Sequence, residues 1–237
     1  MTGMIAALSA CQTAPPQNYL DAEARPHIKE MDSVLIAKQN QVGADIKVSK
    51  MSQYLQGHIV PVLLDIGINS VREKKAKDYA APMRETLTDY DFTSDIREEF
   101  NEALAQSELE GAGDLKVLRY EPMGFRAAYI RQSQADAVMF VDVNYAFTPS
   151  FDSLNLTSQV MVYPINPALS PYKERPDRDR VIEYSDNIYR NSFVASVPVG
   201  GELEAKTSEN AAMWADMSEE ELSGKLQNAA AMLGRSI

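Results

Sequence analysis

The chain has 237 residues, which is room for one substantial domain or two small ones, and we expect a single domain. Hydrophobic residues make up 45% and charged residues 24%, which is typical of a soluble protein with a packed core and argues against a disordered chain. With 34 acidic and 23 basic residues the formal net charge is −11, so the surface as a whole repels phosphates. We therefore predict no nucleic-acid partner.

The only cysteine, Cys11, ends a short apolar segment near the N-terminus. The stretch Leu8-Ser9-Ala10-Cys11 resembles the lipobox of bacterial lipoproteins, in which small residues precede the cleaved bond and the thiol receives a diacylglycerol. This resemblance implies that residues 1–10 are a signal-peptide remnant and that Cys11 is the lipidation site. A single cysteine also excludes an intrachain disulfide and a zinc site built from cysteines.

The segment before Cys11 departs from a standard secretory signal in two ways. Its apolar stretch covers only residues 4–8, and no lysine or arginine precedes it. A start site upstream of Met1 would explain both departures. The alternative interpretation is that Cys11 is an ordinary residue in a disordered N-terminal tail.

The residues that follow Cys11 favour the lipoprotein interpretation. Residues 12–18 are polar and contain two prolines, which is typical of a tether between an anchor and a domain. We expect a lipidated tether over residues 11–32 and one mixed α/β domain over residues 33–237. In lipoproteins a non-acidic residue such as Gln12 after the cysteine implies the outer membrane, so we expect a periplasm-facing protein that contacts the membrane through its lipid.

The first predicted elements of the domain are strands. Residues 33–38 form a short apolar run that predicts a buried strand, and residues 44–48 continue in an extended pattern. Residues 59–68 fit a helix or a strand by periodicity, but Gly57 and Pro61 favour a helix start. This run is too short to span a bilayer, which needs about 20 apolar residues.

Two more helices are predicted before the next strand. Val71 extends the apolar face of the first helix, and residues 74–87 carry apolar side chains three and four positions apart. This second segment is either one helix with Pro82 inside it or two short helices. Thr93 or Ser94 then caps a third helix, which has acidic residues in its first turn.

The middle of the chain alternates between strand and helix patterns. Residues 115–120 predict a strand and residues 124–134 a short helix. Residues 137–147 give the clearest strand pattern of the chain, and residues 154–165 alternate in the same way. Residues 149–153 between them predict a hairpin connection, so these two strands should pair antiparallel.

The last part of the chain is predicted to close the sheet and cover it. Residues 166–180 form a charged loop with three prolines, and residues 181–194 predict a strand beside the previous one. Thr207 or Ser208 caps a short helix over residues 211–217, and the capping box that begins at Ser218 starts the final helix. Its apolar stripe consists of Leu222, Leu226, Ala229, Ala230 and Leu233. The predicted fold class is α+β, a mixed and largely antiparallel sheet packed by helices, with an amphipathic C-terminal helix.

Motifs of enzyme chemistry are missing from the sequence. There is no phosphate-binding glycine loop and no GxSxG elbow, and His27 and His58 are the only histidines. Asp89 and Asp91 offer two carboxylates with no glycine after them, which indicates a turn and not a calcium loop. We predict no catalytic residue, no cofactor and no metal site.

One polar pair lies on a predicted core strand. Alternation over residues 137–147 places Val141 on a buried face and Asp142 with Asn144 on the opposite face. If helices cover that face too, Asp142 must be paired, and a buried carboxylate would be a site candidate. If the face is open to water, Asp142 has no special role.

The run Ala135-Asp136-Ala137-Val138-Met139-Phe140-Val141-Asp142-Val143, with the anchor and the order of elements around it, resembles one known group. This group comprises the curli-secretion lipoproteins and the lipoprotein activators of cell-wall synthases, whose domains pair a mixed sheet with helices. The resemblance covers residues 33–194 and implies a binding or assembly module for an envelope protein partner or for a second copy of itself. The alternative is an envelope hydrolase or small-ligand binder, with Asp142 as its candidate carboxylate.

Overall fold

The computed structural model describes residues 19–39, 41–46, 59–106, 111–172, 186–200 and 205–236, with only the backbone of residues 59–68. They form an α+β fold in which helices pack on a six-stranded mixed sheet, and this confirms the predicted fold class. The strands are β1 (Met31–Ile36), β2 (Gly43–Ala44), β3 (Lys116–Leu118), β4 (Ala137–Phe147), β5 (Ser153–Pro164) and β6 (Tyr189–Pro198). The helices are α1 (Ile59–Thr86), α2 (Phe92–Gln106), α3 (Phe125–Gln132), α4 (Thr207–Ala215) and α5 (Glu219–Gly234).

The sheet joins a parallel half to an antiparallel half. Its order is β3-β1-β4-β5-β6, and β2 pairs with the end of β4 beyond β1. β1 runs parallel to both β3 and β4, whereas β4, β5 and β6 pair antiparallel in sequence order. The predicted hairpin between β4 and β5 is confirmed, and the Thr148 N–H donates to the Ser153 carbonyl at 2.9 Å.

Two hydrophobic cores lie on opposite faces of the sheet, because successive side chains of a strand point to opposite sides. The main core lies under α1, α2, α4 and α5 and includes Val141 of β4 and the fully buried Trp214 of α4. The minor core lies under α3 and includes Phe140 of β4. The predicted alternation of β4 is therefore confirmed.

Helix α1 is longer than predicted. A single helix continues through Pro82, so the alternative of two short helices is wrong. The prediction for Val71 is also wrong, because its side chain is 68% exposed while Ala80, on the opposite side of the helix, is buried.

No helix in the described part of the chain combines the length and the apolar character that a membrane span requires.

Helix α2 starts two or three residues earlier than predicted. The helix begins at Phe92, and Asp91 precedes it, with a carboxylate that accepts hydrogen bonds from the Thr93 N–H at 3.2 Å and the Ser94 hydroxyl at 3.3 Å. Thr93 and Ser94 are therefore donors to the capping residue and not the cap. The earlier start brings the Phe92 ring into the main core.

The boundaries of β1 and β6 also differ from the predicted ones. β1 begins at Met31, and Ala24 and Ile28, within the expected tether range, are buried in the main core. β6 begins at Tyr189, since its register with β5 starts at the pair Val162 and Tyr189, while residues 181–185 lie outside the described part. Part of the predicted loop is a 3-10 helix, Pro167–Tyr172.

The C-terminal helix is confirmed. Ser218 caps α5, and its hydroxyl accepts from the Glu221 N–H while the Glu221 carboxylate accepts from the Ser218 N–H at 2.9 Å. All five predicted stripe residues are buried in the main core. The stripe thus packs on the sheet and on α2 and is not an exposed docking surface.

Candidate functional site

The carboxyl ends of β1 and β3 form the topological switch point of the parallel half. From β1 the chain crosses to β3 through α1 and α2 on the main-core face, and from β3 it crosses to β4 through α3 on the minor-core face. Open α/β sheets bind ligands outside such a point, because neighbouring loops diverge there and leave a crevice. We call this region, with residues 37–41, 88–92 and 119–124, the carboxyl edge.

A cleft of about 410 Å³ opens at the carboxyl edge on the main-core side. Its lining is mostly polar and combines amide, carboxylate, guanidinium, hydroxyl and aromatic groups. The lining residues are Gln39, Gln41, Thr88, Asp89, Tyr90, Asp91, Phe92, Thr93, Arg119 and Tyr145. They come from the ends of β1 and β3, from β4 and from the turn between α1 and α2.

An ion pair stands at the mouth of this cleft. One terminal nitrogen of Arg119 contacts both carboxylate oxygens of Asp91, at 2.9 and 2.8 Å. Asp91 also caps α2, so the ion pair joins the end of β3 to the start of that helix. The other nitrogens of Arg119 bond to no described residue and remain available as donors.

Tyr145 forms the inner wall of the cleft. The amide of Gln39 replaces a missing strand partner for its backbone, since the Tyr145 N–H donates to Oε1 at 2.8 Å and Nε2 donates to the Tyr145 carbonyl at 3.2 Å. The ring packs edge-on against Phe92 at 4.9 Å. Burial and, to a smaller extent, the charge of Asp91 raise the pKa of the Tyr145 hydroxyl, so it stays protonated at neutral pH.

The loop that leaves β3 carries the most exposed apolar side chains of the carboxyl edge. Tyr120 is 75% exposed and Met123 is fully exposed. The loop is nevertheless ordered, because the Phe125 N–H closes a turn onto the Pro122 carbonyl at 3.1 Å and Gly124 takes a φ of 74°. Exposed tyrosine and methionine side chains on a fixed backbone are characteristic of protein contact surfaces.

A network of ion pairs holds this loop in place on the minor-core side. Arg126 of α3 donates to Glu121 and to Asp142 at 2.6 Å each, and Lys38 makes a further ion pair with Glu121. Burial opposes ionisation of Glu121, but Arg126 and Lys38 outweigh it and lower the pKa of this carboxyl. Asp142 thus lies beside a helix and is paired, and this contact favours a structural role for it over a catalytic one.

The other residues considered from the sequence are dispersed. His27 is exposed in the 3-10 helix Arg25–His27, while Cys11 and His58 lie outside the described residues. Asp89 and Asp91 lie in a turn as predicted, but they also line the cleft, which the sequence did not indicate. Within the described ranges no three metal-binding side chains cluster together.

Comparisons with protein-family models, with curated proteins and with solved structures found no match to this chain.

Proposed function

We propose that this protein is a lipid-anchored envelope module that binds a protein partner through the loop between β3 and α3. The observation that carries the proposal is this loop itself, with Tyr120 and Met123 exposed and Glu121 fixed by Arg126. A contact surface with fixed geometry loses little conformational entropy when a partner binds. The side chains at its tip are of the types enriched at protein interfaces.

The place where the N-terminal segment joins the domain supports a contact role for the loop between β3 and α3. The Lys29 N–H donates to the Asp136 carboxylate at 2.9 Å, at the amino ends of β1 and β4. Tyr19 lies near Tyr189, because its phenol adds to the effect of burial in raising the pKa of the Tyr189 hydroxyl, while a hydrogen bond with Asn191 opposes that increase. The anchored segment therefore joins the domain at the end of β1 opposite the carboxyl edge.

The tether between lipid and domain is short. Cys11 precedes Tyr19 by eight residues, so the chain between them spans at most about 26–29 Å. A lipid on Cys11 would keep the amino ends of the strands near the membrane and turn the carboxyl edge toward the periplasm. Confinement at a membrane raises the effective concentration toward other membrane-bound proteins, so a small interface suffices.

Photocrosslinking in intact cells tests the proposal. A photoreactive amino acid at position 123 should give one discrete protein adduct, and the double substitution Tyr120→Ser and Lys38→Ser should weaken it. The matched control is the same amino acid at position 71, since Val71 is also apolar and is 68% exposed but lies on α1. An equal yield of the same adduct at positions 71 and 123, or no adduct at position 123, would contradict the proposal.

A further inference from the structure

The Tyr145 hydroxyl is a polar group without a protein partner. Its side chain lines the cleft and its residue is only 8% exposed, yet the hydroxyl makes no hydrogen bond to any described residue. The hydroxyl is not among the described side-chain atoms that are enclosed without a partner, so it is accessible to solvent from the cleft. A ligand oxygen in the cleft could therefore bind this hydroxyl in place of water.

The groups around this hydroxyl supply donors and acceptors together. The free nitrogens of Arg119 are donors, the carboxylates of Asp89 and Asp91 are acceptors, and the amide of Gln41 is both. Guanidinium, carboxylate and amide groups are planar, so each can bind two neighbouring hydroxyls of one ligand. This combination suits a ligand with several hydroxyl groups better than a ligand with one polar atom.

The charge balance of the cleft disfavours an anionic ligand. Asp91 already neutralises Arg119, and Asp89 adds one further negative charge beside them. An anion would be repelled by Asp89 and would have to displace Asp91 from Arg119.

The aromatic lining and the volume of the cleft restrict the class of ligand further. Tyr90 is the half-buried ring of the lining, whereas Phe92 and Tyr145 are 3% and 8% exposed, so Tyr90 is the ring against which the polarised C–H groups of a sugar could pack. The volume of about 410 Å³ lies in the range of small-molecule sites. We propose that this cleft binds a saccharide that carries no negative charge, with the Tyr145 hydroxyl and Arg119 as its hydrogen-bond donors.

Binding measurements on the purified full-length protein test this inference independently of the protein partner proposed above. The probes are three neutral disaccharides, N,N′-diacetylchitobiose, cellobiose and maltose, with glucuronate as the anionic comparator. Saturation-transfer NMR and equilibrium dialysis should show millimolar or tighter binding of at least one neutral disaccharide and weaker binding of glucuronate.

The substitution Tyr145→Phe removes only the unpartnered hydroxyl, so the protein should keep its melting temperature while its affinity falls about tenfold. The control is Tyr163→Phe, a buried tyrosine of the minor core, which should leave the affinity unchanged. The inference is overturned if no neutral disaccharide binds, if glucuronate binds more tightly, or if Tyr145→Phe binds as well as the unsubstituted protein. If no neutral disaccharide binds but the crosslink at position 123 still forms, the saccharide inference is contradicted and the proposed protein contact is not.

Discussion

Arg126 links three parts of the carboxyl edge through one guanidinium. It contacts Glu121 of the exposed loop and Asp142 of β4, and it lies over the Phe140 ring at 5.3 Å. Burial alone would lower the pKa of Arg126, but the two carboxylates outweigh burial and raise it. Arg126 therefore stays charged and holds α3 to the sheet at every pH at which the carboxylates are ionised.

The substitution Glu121→Gln tests this network through its pH dependence. The folded protein lowers the pKa of Glu121 below the ordinary value of 4.5, so its contribution is complete above that pH and disappears as the pH falls through the lower, folded value. At pH 7 we expect the substitution to reduce the free energy of unfolding by roughly 1–2 kcal/mol.

Urea denaturation at pH 7 and at pH 3 measures this effect, and the difference between the two proteins should be smaller at pH 3. Glu98→Gln on the exposed side of α2 serves as the control, with little effect at either pH. A difference of the same size at both pH values would show that the charge of Glu121 is not the cause.

Strand β4 is the element that joins the two halves of the sheet. It pairs parallel with β1 and β2 and antiparallel with β5. All the alternate positions on its main-core side are buried, and Val141 lies there fully enclosed. Its other side changes along the strand from the apolar Phe140 to the exposed Asn144, at the point where α3 no longer covers it.

Val141→Asp should therefore destabilise the domain strongly. The substitution places a carboxylate without a partner among apolar side chains, at a cost of roughly 3–5 kcal/mol. Asn144→Asp introduces the same carboxylate on the exposed face of the same strand and should change the melting temperature little. Thermal unfolding followed by circular dichroism measures both, and an unchanged melting temperature for Val141→Asp would mean that the burial of β4 is wrong.

The alternation of β4 and the stripe of α5 could be predicted because they depend on local periodicity. The start of α2 could not, because Asp91 and Thr93 are both acceptable capping residues and the choice depends on burial of Phe92 against Tyr145. The cleft was beyond sequence reasoning for a related reason. Its residues come from four separate segments, and none of those segments carries a motif of its own.

The network around Asp142 was predictable in part. The sequence placed Asp142 on the side of β4 away from the main core and required a partner if a helix covered that side. It did not identify Arg126, because the pairing depends on how α3 lies across β1 and β4. The exposure of Tyr120 and Met123 could not be predicted from the sequence either, because an apolar residue after a strand is as compatible with burial as with a contact surface.

At the scale of the whole molecule, the net charge and the N-terminal segment both affect how the domain would be placed at a membrane. The net charge of −11 keeps the domain away from anionic surfaces. The basic side chains of Arg72, Lys74, Lys75 and Lys77 are exposed on α1, and Lys77 pairs with Glu73 at 2.7 Å. Ala24, Ile28 and Met31 are buried in the main core, so part of the expected tether belongs to the domain. If Cys11 carries a lipid as proposed, the shorter link would restrict the directions in which the carboxyl edge can face.

Membrane partition of the Cys11→Ser variant tests the central claim most directly, because the orientation and the proposed contact both depend on an anchor at this residue. Expressed with an intact secretory signal upstream, the protein should fractionate with membranes and enter the detergent phase. Cys11→Ser should be released into the soluble fraction or remain as an uncleaved precursor. If both forms partition equally, Cys11 is not an anchor and the account of this protein as a lipid-anchored envelope module is contradicted.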